Sequence, residues 1–217
     1  MNLREARRNK GQNQEEAARR LGVTQAYLSL LERGLRKPSA KLARRLVSEY
    51  KLPATVLPVQ DELARSTPEF LAEELSALGY PGFSHLRNRH KRMNPASYLL
   101  KALSQENLEA RVAEALPWLA LQYDLDFEWL VPEARKRNLQ NRLGFTVTLA
   151  RKAGRKDSLL QAEQTLEDSK LQKEDSYCKV LTPVEKKWLA ENRSEEAKQW
   201  NLLTDLSPST VRYAASA

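Results

Sequence analysis

Between residues 13 and 39 the chain reads NQEEAARRLGVTQAYLSLLERGLRKPS, with polar side chains at two helix starts and a run of cations behind them. Asn13, Gln14, Thr24 and Gln25 supply amides and a hydroxyl; Arg33, Arg36 and Lys37 supply charge. Such groups hydrogen-bond and neutralise oxyanions, but they do not pair a nucleophile with a base. Reactive types elsewhere fall at unhelpful spacings. His85 and His90 sit in a basic run, His85 to Arg92, with no neighbouring cysteine and no HExxH, so no metal site is expected. That run reads as a solvated loop. Asp124, Asp126 and Glu128 lie two apart, which spreads them around a helix; Asp126 reads as a helix cap. No cofactor and no catalytic centre are expected.

The elements that position these groups follow from caps and spacing. Asn13 caps a first helix, with Gln14, Glu15 and Glu16 in its first turn and Ala18 and Leu21 on one face, ending at Gly22. Thr24 caps a second, with Leu28 and Leu31 three apart, ending at Gly34. Two short helices around a three-residue glycine turn are the pattern of a helix-turn-helix DNA reader.

The stretch from Leu3 to Pro58 resembles the Cro/C1 repressor family of helix-turn-helix domains. The resemblance rests on Gln14-Glu15-Glu16, Ala18, Leu21-Gly22-Val23-Thr24-Gln25, Tyr27-Leu28-Ser29, Leu31-Glu32-Arg33-Gly34 and Arg36-Lys37-Pro38-Ser39. It implies five helices, with Leu3 to Asn9 as the first, Ser39 capping the fourth and Leu57 closing the fifth. It also implies that Gln14 meets a phosphate at a helix N-terminus. Thr24, Gln25, Ala26, Tyr27 and Ser29 would lie on the recognition helix. Gln25 is the best base reader there, because its amide matches adenine N6 and N7. Arg33, Arg36 and Lys37 would hold the backbone, and Arg7 with Glu32 would bridge helix one to helix three. The chain departs from the pattern at Gln12 and Ala17, where leucines are usual, and at Leu30, usually polar, which suits a thymine methyl or a neighbouring helix.

Charge points the same way. Residues 1 to 57 hold 13 Lys or Arg against 5 Asp or Glu, a net of +8, while the remaining 160 residues hold 23 of each. The whole positive balance therefore lies in the segment with the helix-turn-helix pattern, as a phosphate-binding surface requires.

The chain has 217 residues, 41% of them apolar, enough for one small and one ordinary domain. No run reaches the apolar length of a membrane helix, Met-Asn-Leu-Arg-Glu is no secretory signal, and the single cysteine, Cys178, rules out an internal disulfide framework. A cytoplasmic protein is expected, with Cys178 an inert buried thiol.

The fold expected is all-α: a helix-turn-helix domain over 1–58, a linker over 59–67 and a larger helical domain over 68–217. Helices are expected over 68–79, 95–103, 107–123, 126–153 (split at Pro132), 157–173, 183–192, 194–206 and 209–215. Gln140-Asn141-Arg142, polar groups inside an otherwise apolar helix, reads as an exposed polar face, with a pocket lining or a helix–helix interface as the alternative. Trp188 and Trp200 are the expected anchors for a partner or a second copy. Some repressors of this family cut themselves with a serine-lysine pair at an Ala-Gly bond. Ala153-Gly154, Ser158 and Lys170 are present, but the helical segment is too short for that β-rich peptidase, and Gly154 reads as a helix end.

The function expected is sequence-specific repression by a dimer on a palindromic site in double-stranded DNA. The alternative is an antitoxin that also neutralises a partner toxin, through a helical domain resembling antitoxin-like regulators encoded beside nucleotidyltransferase-type toxins.

Overall fold

The computed structural model describes residues 2–60, 66–87, 92–154 and 156–214, and these form two compact units, Met1–Gln60 and Asp61–Ala217. The expected linker, 59–67, falls partly outside the described residues, as do Asn88 to Lys91 of the basic run.

In the first unit, local capping sets each helix. Asn2 forms a capping box with Glu5 on α1 (Leu3–Asn9), and Asn13 forms one with Glu16 on α2 (Gln14–Leu21). Gly22, at φ 65°, ends α2 in the left-handed conformation that glycine adopts without penalty. Thr24 caps α3 (Gln25–Glu32) and Ser39 caps α4 (Ala40–Tyr50). Where a fifth helix was expected there is a single 3-10 turn, Ala54–Val56. Pro53 and Pro58 bracket it and leave no room for a second turn. The core gathers Leu3, Ala17, Ala18, Leu21, Leu28, Leu31, Leu42, Leu46 and Tyr50. Ala17 is fully buried, so a small residue closes the α2 packing where leucine is usual.

The second unit is built around α9 (Gln140–Gly154). It packs chiefly on α7 (Ala110–Gln122) and α10 (Leu160–Glu167), with α8 (Phe127–Lys136) and α12 (Glu195–Gln199) alongside. Every residue of α6 (Pro95–Leu103) is buried. α5 (Pro68–Ala77) starts with Thr67 as cap and Pro68 at the first position, where its missing N–H costs nothing. α11 (Pro183–Asn192) buries no residue at all.

Five expectations need correction here. The break between α8 and α9 is not at Pro132, which lies inside α8, but at residues 137–139, where Asn138 turns left-handed at φ 56°. Gln140, Asn141 and Arg142 are not an exposed face but are 5%, 1% and 4% exposed. Asn141 pairs with both backbone groups of Leu171, each at 2.8 Å. Arg142 spends all five N–H groups, on Asp175 (2.6 and 3.0 Å) and on the carbonyls of Leu103, Gln105 and Ser176. Asn141 and Arg142 are buried because long-range partners, 30 or more residues away, satisfy them, while Gln140 gives its amide N–H to the Ser169 carbonyl at 3.1 Å. The segment 194–206 is not one helix: after α12, Leu202–Leu203 (β2) pairs in parallel with Asp175–Ser176 (β1). The last expected helix is only a 3-10 turn, Pro208–Thr210. Cys178 is half-buried rather than buried, its thiol 3.4 Å from Asn107 Oδ1.

Candidate nucleic-acid interface

The geometry between α1, α2 and α3 is fixed by three polar side chains. Arg7 Nε and Nη2 donate to the two Glu32 oxygens at 2.6 and 3.2 Å, and Arg7 Nη1 donates to the Gln12 carbonyl at 2.7 Å. Gln14 Nε2 donates to the same Glu32 carboxylate at 2.8 Å. The ion pair is 9% exposed on the arginine side and 2% on the glutamate side. Burial pushes the Glu32 carboxyl up, but hydrogen bonds from Arg7 and Gln14 outweigh it and hold it below the usual carboxylate range. The same hydrogen bond raises Arg7. Glu32 ends α3, so this cluster sets the angle at which the recognition helix leaves the body of the domain.

Gln14 is the first residue of α2. Its amide nitrogen is occupied by Glu32, and what remains at the α2 N-terminus is its backbone N–H, one of the orphan donors a phosphate can take. Thr24 caps α3 as expected, its hydroxyl oxygen accepting from the Tyr27 N–H at 3.2 Å. Gln25 and Ala26 are exposed on the first turn of α3, with no side-chain partner for Gln25 among the described residues. Tyr27 packs against the core and its hydroxyl donates to the Lys37 carbonyl at 3.4 Å, which ties the basic loop to the recognition helix. Ser29 is half-buried. Arg33 is exposed and folds its Nε back onto the Ser29 carbonyl at 3.3 Å; Arg36 and Lys37 are exposed. Leu30 is half-buried one turn from the base-facing end.

Two positioning contacts have no signal in local sequence. Arg45 of α4 donates to the carbonyls of Leu21 (2.9 Å) and Arg20 (2.6 Å), satisfying the C-terminus of α2. Gln12, the departure from leucine, accepts from the Tyr50 hydroxyl at 2.8 Å, so a polar bond stands where apolar contact was expected. Arg45 also pairs with Glu49, one turn on along α4, at 3.1 Å.

The interface anchors divide. Trp200 is fully buried, its indole N–H donating to Thr148 Oγ1 at 2.8 Å, so it is a core residue of this chain and not a partner anchor. Its 52-residue separation from Thr148 is why spacing did not reveal this. Trp188 is 51% exposed on α11.

Among the described residues no group of His, Cys, Asp and Glu is placed to hold a metal ion, and no helix is long and apolar enough to cross a membrane. Residues 3–57 match the helix-turn-helix family model. No curated protein and no solved structure matches the chain. Capped α2 and α3 around Gly22, an open first turn on α3 and a basic loop behind it are the parts such a reader needs. Residues 3–57 are thus a Cro/C1-type helix-turn-helix domain, and the chain that carries them is a DNA-binding transcription regulator.

Proposed function

We propose that this chain is a sequence-specific repressor, acting by binding rather than catalysis, that occupies a two-fold symmetric operator as a dimer. The observation that carries the reading is the pairing of an open Gln25 on the first turn of α3 with exposed Arg33, Arg36 and Lys37 at its far end. The amide reads an adenine edge while the cations take phosphates, dividing specificity from affinity. One such module reads few base pairs, which is why two half-sites about one helical turn apart are needed. The second unit, electrically neutral, then supplies dimerisation. A footprint of the purified chain on its own upstream DNA at physiological salt tests this. Protection of a symmetric site supports it, and salt-sensitive binding without a preferred site counts against it.

An antitoxin that also holds a partner toxin is the second reading. It is favoured by one observation, the open apolar residues of α11.

A further inference from the structure

α11 is an anomaly in its unit. Ten residues long and closed by a capping box between Thr182 and Glu185, it buries none of its side chains. Val184 and Trp188 lie one turn apart on a single face and are 78% and 51% exposed; Val180, just before the helix, is 78% exposed. Single exposed apolar residues are ordinary, but a tryptophan stacked on a valine along one stripe marks a contact surface.

We propose that this stripe is the dimer contact, covered by α11 of a second copy running antiparallel. The proposal rests on the dimeric regulator described above and adds the surface. Charge selects the occupant. α11 carries Glu185, Glu191, Lys186 and Lys187, so it is neutral and does not repel its own copy. Glu185 is committed to the Thr182 cap. Lys187 and Glu191, one turn apart on the same flank of the stripe, have no partner among the described residues. In an antiparallel pair, like flanks meet. A two-fold axis beside Trp188 stacks the two indoles and leaves Lys187 about 3 Å in axial offset from Glu191 of the partner subunit, a gap that a lysine stem spans. Each copy thus gives and receives one ion pair, the self-complementarity of an isologous contact.

Sedimentation of the full chain over a concentration series tests this, with circular dichroism as the check on folding. The wild type should dimerise, and Trp188→Ala should raise the dissociation constant at least tenfold with helicity unchanged. Lys187→Glu and Glu191→Lys should each weaken the dimer, and the double swap should restore it. A Trp188→Ala chain that dimerises like wild type, or a double swap no better than the single changes, overturns the proposal. If the wild type then still protects a symmetric operator, the regulator reading stands and dimerisation lies elsewhere. A wild type that is monomeric at all concentrations and associates only with the neighbouring gene product overturns the proposal in favour of a toxin on this face. A monomer protecting an asymmetric site removes the dimeric reading as well.

Discussion

The indole of Trp200 fills the space that a side chain at Gly144 would occupy. A Cβ built on Gly144 would fall 2.6 Å from Trp200 Cε3 and nearer still to two other ring carbons. Gly144 lies inside a helix at an ordinary φ, so its smallness serves packing and not backbone freedom. α9 can approach α12 only because that position lacks a Cβ.

Gly144→Ala should therefore destabilise the second unit by about 1–3 kcal/mol, as overpacking does, despite alanine's better helix propensity. Trp200→Ala should cost about 3–5 kcal/mol. The combination Gly144→Ala with Trp200→Leu should cost less than the sum of its parts, because each relieves the other. Additive losses in thermal unfolding would mean that the two residues are not in contact.

Breaking the Arg7–Glu32 pair leaves a buried charge unmatched. Glu32→Ala should cost the first unit about 3–5 kcal/mol and abolish operator binding, whereas an apolar pair such as Arg7→Met with Glu32→Leu should recover much of the stability. The pH dependence follows from the depressed Glu32 carboxyl. Its ordinary value is 4.5. Above that pH both states are ionised and the native state gains the full stabilisation. As pH falls through the lower, folded value, the carboxylate is protonated and the gain is lost. Acid unfolding of the wild type followed by circular dichroism, with Glu32→Gln as the control lacking this titration, checks the sign.

Gln25→Ala and Lys37→Ala should fail in different ways. The first should cost about 1–3 kcal/mol at one base position and relax selection there. The second should weaken binding to every sequence alike and reduce the salt slope by about 0.9. Gel-shift titrations on operator and scrambled DNA at several salt concentrations separate the two. Unchanged operator selectivity in Gln25→Ala would displace the recognition helix from the place given to it.

Alkali should attack the second unit through its buried phenols. Burial pushes Tyr177 up to about 12, against an ordinary 10.0, and also pushes Tyr98 well up. Below pH 10 both folded and unfolded phenols are neutral and contribute nothing to the pH dependence. Between pH 10 and about 12 only the unfolded chain ionises, so stability falls as pH rises. Tyr177→Phe should flatten that fall in urea titrations monitored by circular dichroism, and a slope identical to wild type would assign it to other groups.

The sequence by itself determined what is local. Asn13, Thr24 and Ser39 announced helix starts because capping acts within three residues, and the bounds expected for α6 and α11, 95–103 and 183–192, match those of the structure. The helix-turn-helix was readable because its caps, glycine turn and apolar spacing all sit within one short segment. Tertiary structure alone decided the rest. Arg142 and Asn141 looked like solvent-facing polar residues until Asp175 and Leu171 met them from more than 29 positions away. Trp200 and Trp188 are the same residue type in similar surroundings, yet one is core and the other open, because burial depends on which element packs opposite. Gln14 was placed at the right helix end, but its side-chain bond to Glu32, 18 residues away, was not foreseen. Caps and periodicity are short-range and survive in one sequence window; the partner of a buried polar group is long-range, and only the fold brings it within reach.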